Sequence, residues 1–136
     1  KEPAQFAGSQ SSRSLLMIVE DDPDQRSILE MVFKGAEYDV RMASSGEQAL
    51  QMLKREIPDL IISDLMMPGM DGKEFVLRVK AEPRYRDVPI LILTVVSDSD
   101  KEYSLLDVGA DDYCEKTIQR KILLKRVGNL LKRFRR

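Results

Sequence analysis

Four acidic residues, a threonine and a lysine carry the chemistry this chain can offer. Glu20, Asp21 and Asp22 follow directly on one apolar run, Asp64 ends a second, Thr94 lies near the end of a third, and a fourth leads into Lys116. Histidine is absent and cysteine occurs once, as Cys114. That removes Ser-His-Asp and Cys-His triads, HExxH metalloprotease chemistry, a phosphohistidine in this chain, an internal disulfide and a Cys-rich zinc site. Any reaction must run on carboxylates, hydroxyls and lysines. Carboxylates gathered within a few ångströms repel and raise one another's pKa. A hard divalent cation with oxygen ligands relieves that repulsion, and a shallow site keeping several waters suits Mg²⁺. Beside it an aspartate can act as nucleophile toward a phosphoryl group. The metal, Lys116 and Thr94 can then neutralise or hydrogen-bond the phosphoryl oxygens. Singly, these residues have plainer readings: Asp22 as a helix cap, Thr94 as a β-branched strand residue, Lys116 as an exposed loop lysine. Asp64 resists such a reading, because a carboxylate closing the apolar run Leu60–Ser63 is costly without a partner.

For these groups to meet, the elements must bring the ends of several strands to one edge. Strand-like runs occur at Ser14–Val19, Tyr38–Ala43, Asp59–Ser63, Val88–Val95 and Asp111–Cys114, separated by helical patterns. Asp22 followed by Pro23 opens the first helix as cap and first helical residue. Ser44 with Glu47, and Ser99 with Glu102, make capping-box patterns for the second and fourth. Leu123, Val127, Leu130 and Phe134 form the apolar stripe of the last. Three central runs are apolar on both faces, as strands buried between two helix layers should be. Five β-α units predict an α/β fold, a doubly wound parallel sheet in a single domain. In such a sheet, ligands bind beyond the carboxyl ends of the strands at the switch point. No Gly-rich phosphate loop follows the first strand; Glu20–Pro23 occupies its place, a position that attracts cations.

The length of 136 residues and 43% hydrophobic content suit one globular domain. No apolar run approaches the roughly 20 residues of a membrane span. With a single cysteine, a cytoplasmic location is expected. Residues 1–13 read as a linker or flexible N-terminal segment, 14–134 as the domain and 135–136 as a C-terminal tail. Net charge is −1, yet the chain from Lys116 onward holds nine Lys/Arg and no acid, leaving a balance of −10 in the first 115 residues. A basic terminal helix is a nucleic-acid or membrane-surface candidate. The absence of interleaved aromatics favours a solvated helix face instead.

Four motifs in order carry a resemblance: Leu16–Pro23 (LMIVEDDP), Asp59–Gly72 (DLIISDLMMPGMDG), Pro89–Thr94 (PILILT) and Gly109–Lys116 (GADDYCEK). Over about residues 14–134 the chain resembles the receiver domain of two-component response regulators. The resemblance implies a flavodoxin-like (βα)5 fold with strand order 2-1-3-4-5. It implies that Asp64 accepts a phosphoryl group from a phosphohistidine of a sensor histidine kinase or phosphotransfer protein. It further implies that Glu20, Asp21, Asp64 and the Met66 backbone carbonyl hold Mg²⁺, and that Lys116 pairs with the phosphoryl group. Thr94 and Tyr113 would form a two-state switch altering the surface of the fourth helix, fifth strand and fifth helix. An output domain, a partner protein or a second receiver would dock there. Such a domain assists only its own phosphorylation and dephosphorylation and is not an enzyme with an external product. Neither direct nucleic-acid binding nor membrane association is expected of it.

The chain departs from the family pattern at Thr117, where proline after a cis bond is usual, and at Val95, where a small residue is usual. A trans Lys116–Thr117 bond would alter the following loop and threaten the placement of Lys116, while Thr117 itself is a candidate cap for the last helix. Val95 would narrow access to the phosphoryl site. Met66 and Val96, often polar in the family, are apolar here. The competing reading is a degenerate receiver serving as a phosphorylation-independent interaction module.

Overall fold

Three strands without a polar face need helices on both sides. The computed structural model, which describes residues 13–96 and 98–134, has them. In chain order the elements are β1 (Leu15–Val19), α1 (Pro23–Gly35), β2 (Asp39–Ala43), α2 (Gly46–Leu53), β3 (Leu60–Ser63), α3 (Gly72–Lys80), β4 (Ile90–Thr94), α4 (Ser99–Asp107), β5 (Asp112–Glu115) and α5 (Arg120–Arg133). All strands pair in parallel, in the order β2-β1-β3-β4-β5. This is the expected doubly wound, flavodoxin-like topology, with each strand within two residues of its expected span. The expected linker, apart from Arg13, and the expected tail lie outside the described residues.

Period-two alternation sorts the strand side chains into two cores. Leu16, Ile18, Leu60, Ile62, Leu91 and Leu93 pack with Leu29 and Phe33 of α1 and with Leu123, Val127 and Leu130 of α5. Met17, Val19, Ile61, Ile90 and Ile92 pack with α2, α3 and α4 through Leu53, Phe75, Val76, Val79 and Leu105. Phe134 does not complete the α5 stripe. It follows the last helical residue and is 39% exposed, with the Arg133 guanidinium 5.5 Å from its ring centre.

Helix starts follow the competition between neighbouring cap residues. Asp22 caps α1 as expected, accepting from the Gln25 amide, with Pro23 as the first helical residue. At α2 the cap is Ser45 rather than Ser44: Ser45 Oγ accepts from the Gln48 amide at 3.0 Å. Ser44 is instead tied to Gln48 Oε1 through its amide and hydroxyl. At α4 the cap is Asp98 rather than Ser99, its carboxylate accepting from the amides of Asp100 and Lys101. An anion there also complements the positive helix end. Thr117 does not cap α5; Gln119 holds that position without a side-chain hydrogen bond.

Candidate functional site

Parallel register brings the acidic groups together. Val19 pairs with Ser63, so Glu20 and Asp64 leave adjacent strands side by side. The Asp64 amide donates to Val19 O and the Glu20 amide to Ala43 O, each at 3.0 Å, carrying the pairing past the strand ends. On the other flank, Thr94 pairs with Glu115 and the Lys116 amide donates to Thr94 O at 2.8 Å. Thus Glu20, Asp21, Asp64, Thr94 and Lys116 all gather at one edge, as their sequence positions predict.

The Lys116 ammonium lies between two buried carboxylates. Its Nζ is 2.5 Å from Glu20 Oε1 and 3.0 Å from Asp64 Oδ2. Glu20 is 2% exposed and Asp64 7%. Burial pushes the Glu20 carboxyl above its usual range, an effect the hydrogen bond from Lys116 only partly offsets. Burial also works against the Lys116 ammonium, but its bonds to Glu20 and Asp64 outweigh that and raise its pKa. The second oxygen of each carboxylate is held by main chain. Asp64 Oδ1 accepts from the amides of Leu65 (2.7 Å) and Met66 (3.3 Å), and Glu20 Oε2 from the Asp22 amide (3.1 Å).

All described peptide bonds are trans, including Lys116–Thr117, yet Lys116 is in contact with Asp64. The substitution of Thr117 for proline has not displaced it. Val95 is 73% exposed, with its side chain largely in solvent. Thr94 is fully buried, and its Oγ1 accepts from the Val96 amide at 3.4 Å. Tyr113 is also buried, and its hydroxyl donates to Val96 O at 2.7 Å. Threonine and tyrosine therefore meet on the main chain of one residue.

Ligand atoms from Glu20, Asp21 and Asp64 lie within 4.8 Å of one another. All are hard carboxylate oxygens, and Asp21 is only half-buried, so the set fits a Mg²⁺ ion that keeps part of its water shell. Among the described residues, the Asp21 carboxylate has no hydrogen-bond or ion-pair partner.

Two further residues shape the site without having been singled out in the sequence. Arg26 Nη1 donates to the backbone carbonyls of Glu20 (2.9 Å) and Asp21 (3.2 Å). Gly72 passes behind the acidic loop, its amide donating to Leu65 O at 2.7 Å. A Cβ there would lie 2.6 Å from Asp64 O and 2.7 Å from Leu65 Cα. Both are main-chain atoms with no rotamer to yield. Gly72→Ala is therefore expected to cost about 2 kcal/mol through overpacking and to shift the Asp64 loop. Chemical denaturation checks the first effect; unchanged stability would show that the loop accommodates the methyl group.

The family model of the response regulator receiver domain matches residues 16–128. Among curated proteins, the chain is 37% identical over 121 residues to the transcriptional regulatory protein AfsQ1 of Streptomyces coelicolor, covering 89% of this chain and 52% of that one. It is 36% identical over 121 residues to the DNA-binding response regulator MtrA of Mycolicibacterium smegmatis, with the same two coverages. The chain spans about half the length of these relatives. Among solved structures it is similar to the signal receiver domain of a signal transduction histidine kinase from Syntrophus aciditrophicus, with a TM-score of 0.83 and 34% identity over 90% of this chain and 93% of that one. The receiver domain of the sensor histidine kinase PA1611 from Pseudomonas aeruginosa PAO1, which has a magnesium ion coordinated in its active site cleft, matches with a TM-score of 0.82 and 26% identity, covering 89% and 99%. Motif order, strand order and a family match over most of the chain agree: this chain belongs to the receiver domains of response regulators.

Proposed function

We propose that the domain receives a phosphoryl group on Asp64 from the phosphohistidine of a sensor histidine kinase or phosphotransfer protein and passes the signal to an output domain or partner protein. The supporting observation is the buried Asp64 carboxylate held by Lys116 next to two further carboxylates. In the transfer, an Asp64 oxygen attacks phosphorus, the histidine N–P bond breaks, and the imidazole nitrogen keeps the electron pair. The Leu65 and Met66 amides fix Oδ1 and so orient the carboxylate. Lys116, already on Oδ2, exchanges that contact for a phosphoryl oxygen as negative charge moves outward. Glu20, Asp21, Asp64 and the Met66 backbone carbonyl would hold Mg²⁺, which when bound offsets the phosphoryl and carboxylate charge.

Thr94 and Tyr113 are the proposed switch, with Val96 as their shared contact. A shift of the Thr94 hydroxyl toward the phosphoryl group would remove its bond to the Val96 amide and disturb the carbonyl that holds Tyr113. The consequence would reach the surface of α4, β5 and α5, where an output domain, a partner or a second receiver would dock. The domain acts on itself alone and is not proposed as an enzyme. Direct nucleic-acid binding is assigned to none of its residues. Among the described residues no helix is long and apolar enough to cross a membrane, and a cytoplasmic setting is proposed.

Incubation with Mg²⁺ and a small-molecule phosphoryl donor, followed by intact mass measurement, tests the reading. The parent is expected to gain one phosphoryl group and Asp64→Asn none. A parent that gains nothing, or an Asp64→Asn variant that gains as much, would overturn it.

A further inference from the structure

Arg26 stands where a cation is least favoured by its own helix. It occupies the first turn of α1, near the positive end of the peptide dipole, where anions are stabilising and cations are not. Among the described residues it forms no ion pair that would compensate. Its guanidinium is instead spent on two neutral acceptors, the carbonyls of Glu20 and Asp21. Those residues supply two of the three clustered carboxylates.

The two acids differ in how else they are held. Glu20 is anchored by its amide to Ala43 O and by its carboxylate to Lys116 and the Asp22 amide. Among the described residues the Asp21 carboxylate has no such partner, so the main chain that carries it is what positions it. Resting on the Mg²⁺ site of the proposed function, we infer that Arg26 is a positioning residue for that site, clamping the Glu20–Asp21 carbonyls so that the Asp21 carboxylate stays aimed at the cation. Groups that orient metal ligands without touching the metal commonly change affinity by about 10- to 100-fold when removed.

Two opposite effects follow from removing Arg26, which makes the test decisive in sign. Loss of the clamp weakens cation binding, whereas loss of a nearby positive charge strengthens it. The clamp is predicted to win, because the guanidinium bonds carbonyls rather than screening a carboxylate directly. Calorimetric titration of the full chain with Mg²⁺ alone should show a Kd raised about tenfold in Arg26→Met. Arg26→Lys, which keeps one charged donor, should recover part of that loss. The melting temperature in EDTA should stay close to the parent's in both variants, since the effect lies in metal binding.

An unchanged or tighter Mg²⁺ Kd in Arg26→Met would overturn the inference while leaving the metal site intact. A large fall in melting temperature in EDTA, equal in both variants, would also overturn it by assigning Arg26 to folding. A parent that binds no Mg²⁺ would remove the proposed site itself, and the inference with it.

Discussion

Replacing Lys116 with methionine is expected to destabilise the metal-free protein by about 3 kcal/mol, because it strips from two buried carboxylates the only cation that contacts them among the described residues. Methionine keeps the length of the aliphatic stem, so little of the effect comes from lost packing. The effect comes from leaving Glu20 and Asp64 charged, buried and close to Asp21. Roughly 10 °C in melting temperature corresponds to a loss of this size in a domain of this length. Added Mg²⁺ should restore more stability to Lys116→Met than it adds to the parent, since the cation then compensates charge that Lys116 no longer does. Phosphoryl acceptance should nevertheless fall by about 100-fold, the typical loss on removing one preorganised donor from a developing anion. Thermal denaturation in EDTA and in Mg²⁺, with a time course of intact mass, reads all three effects. Equal stability of variant and parent in EDTA would show that the carboxylates are relieved by water or protonation rather than by Lys116.

The placement of Lys116 also shows why so much of this site is legible in the sequence. Five parallel strands with nearly equal ends turn sequence position into spatial position. Any residue just beyond an apolar run arrives at the same edge, and Glu20, Asp64 and Lys116 do so through continued main-chain pairing. Chain spacing and strand polarity suffice for that inference. They do not suffice for the caps of α2 and α4, where Ser44 and Ser45, or Asp98 and Ser99, offer equivalent chemistry one residue apart. Only the backbone angle selects between them, and the Ser45 and Asp98 main chains have the extended geometry a cap requires. Arg26 and Gly72 are illegible for a related reason. Each acts on the main chain of another segment, and nothing in the identity of Glu20, Asp21 or Asp64 announces which carbonyl a guanidinium or glycine will approach. An arginine in the first turn of a helix is the one available signal, a local choice at odds with the dipole. The trans Lys116–Thr117 bond is a different case, in which the expected displacement of Lys116 does not follow: its ammonium bonds both Glu20 and Asp64.

Once formed, the proposed aspartyl phosphate is expected to decay slowly, over tens of minutes rather than seconds. Hydrolysis needs a water held in line with the Asp64 oxygen–phosphorus bond, and a polar side chain near that line lowers the cost of holding it. The two positions that the family resemblance places beside the phosphoryl group, Met66 and Val96, offer none. Met66 is 56% exposed and follows Asp64 by two residues, while Val96 packs against the hydrophobic core beside Thr94. Introducing Met66→Asn and Val96→Gln together should shorten the lifetime by at least about tenfold, the rate equivalent of one hydrogen bond gained in the transition state. The glutamine leaves the Val96 carbonyl available to Tyr113, since that contact is made by main chain. The lifetime can therefore change while the switch contact is kept. Decay of the phosphorylated mass after donor removal, followed at constant Mg²⁺, measures the effect. Loss of the parent's phosphoryl group within seconds would mean that the attacking water is oriented by the main chain or by the metal's own water shell, and that the apolar residues at these positions do not control the duration of the signal.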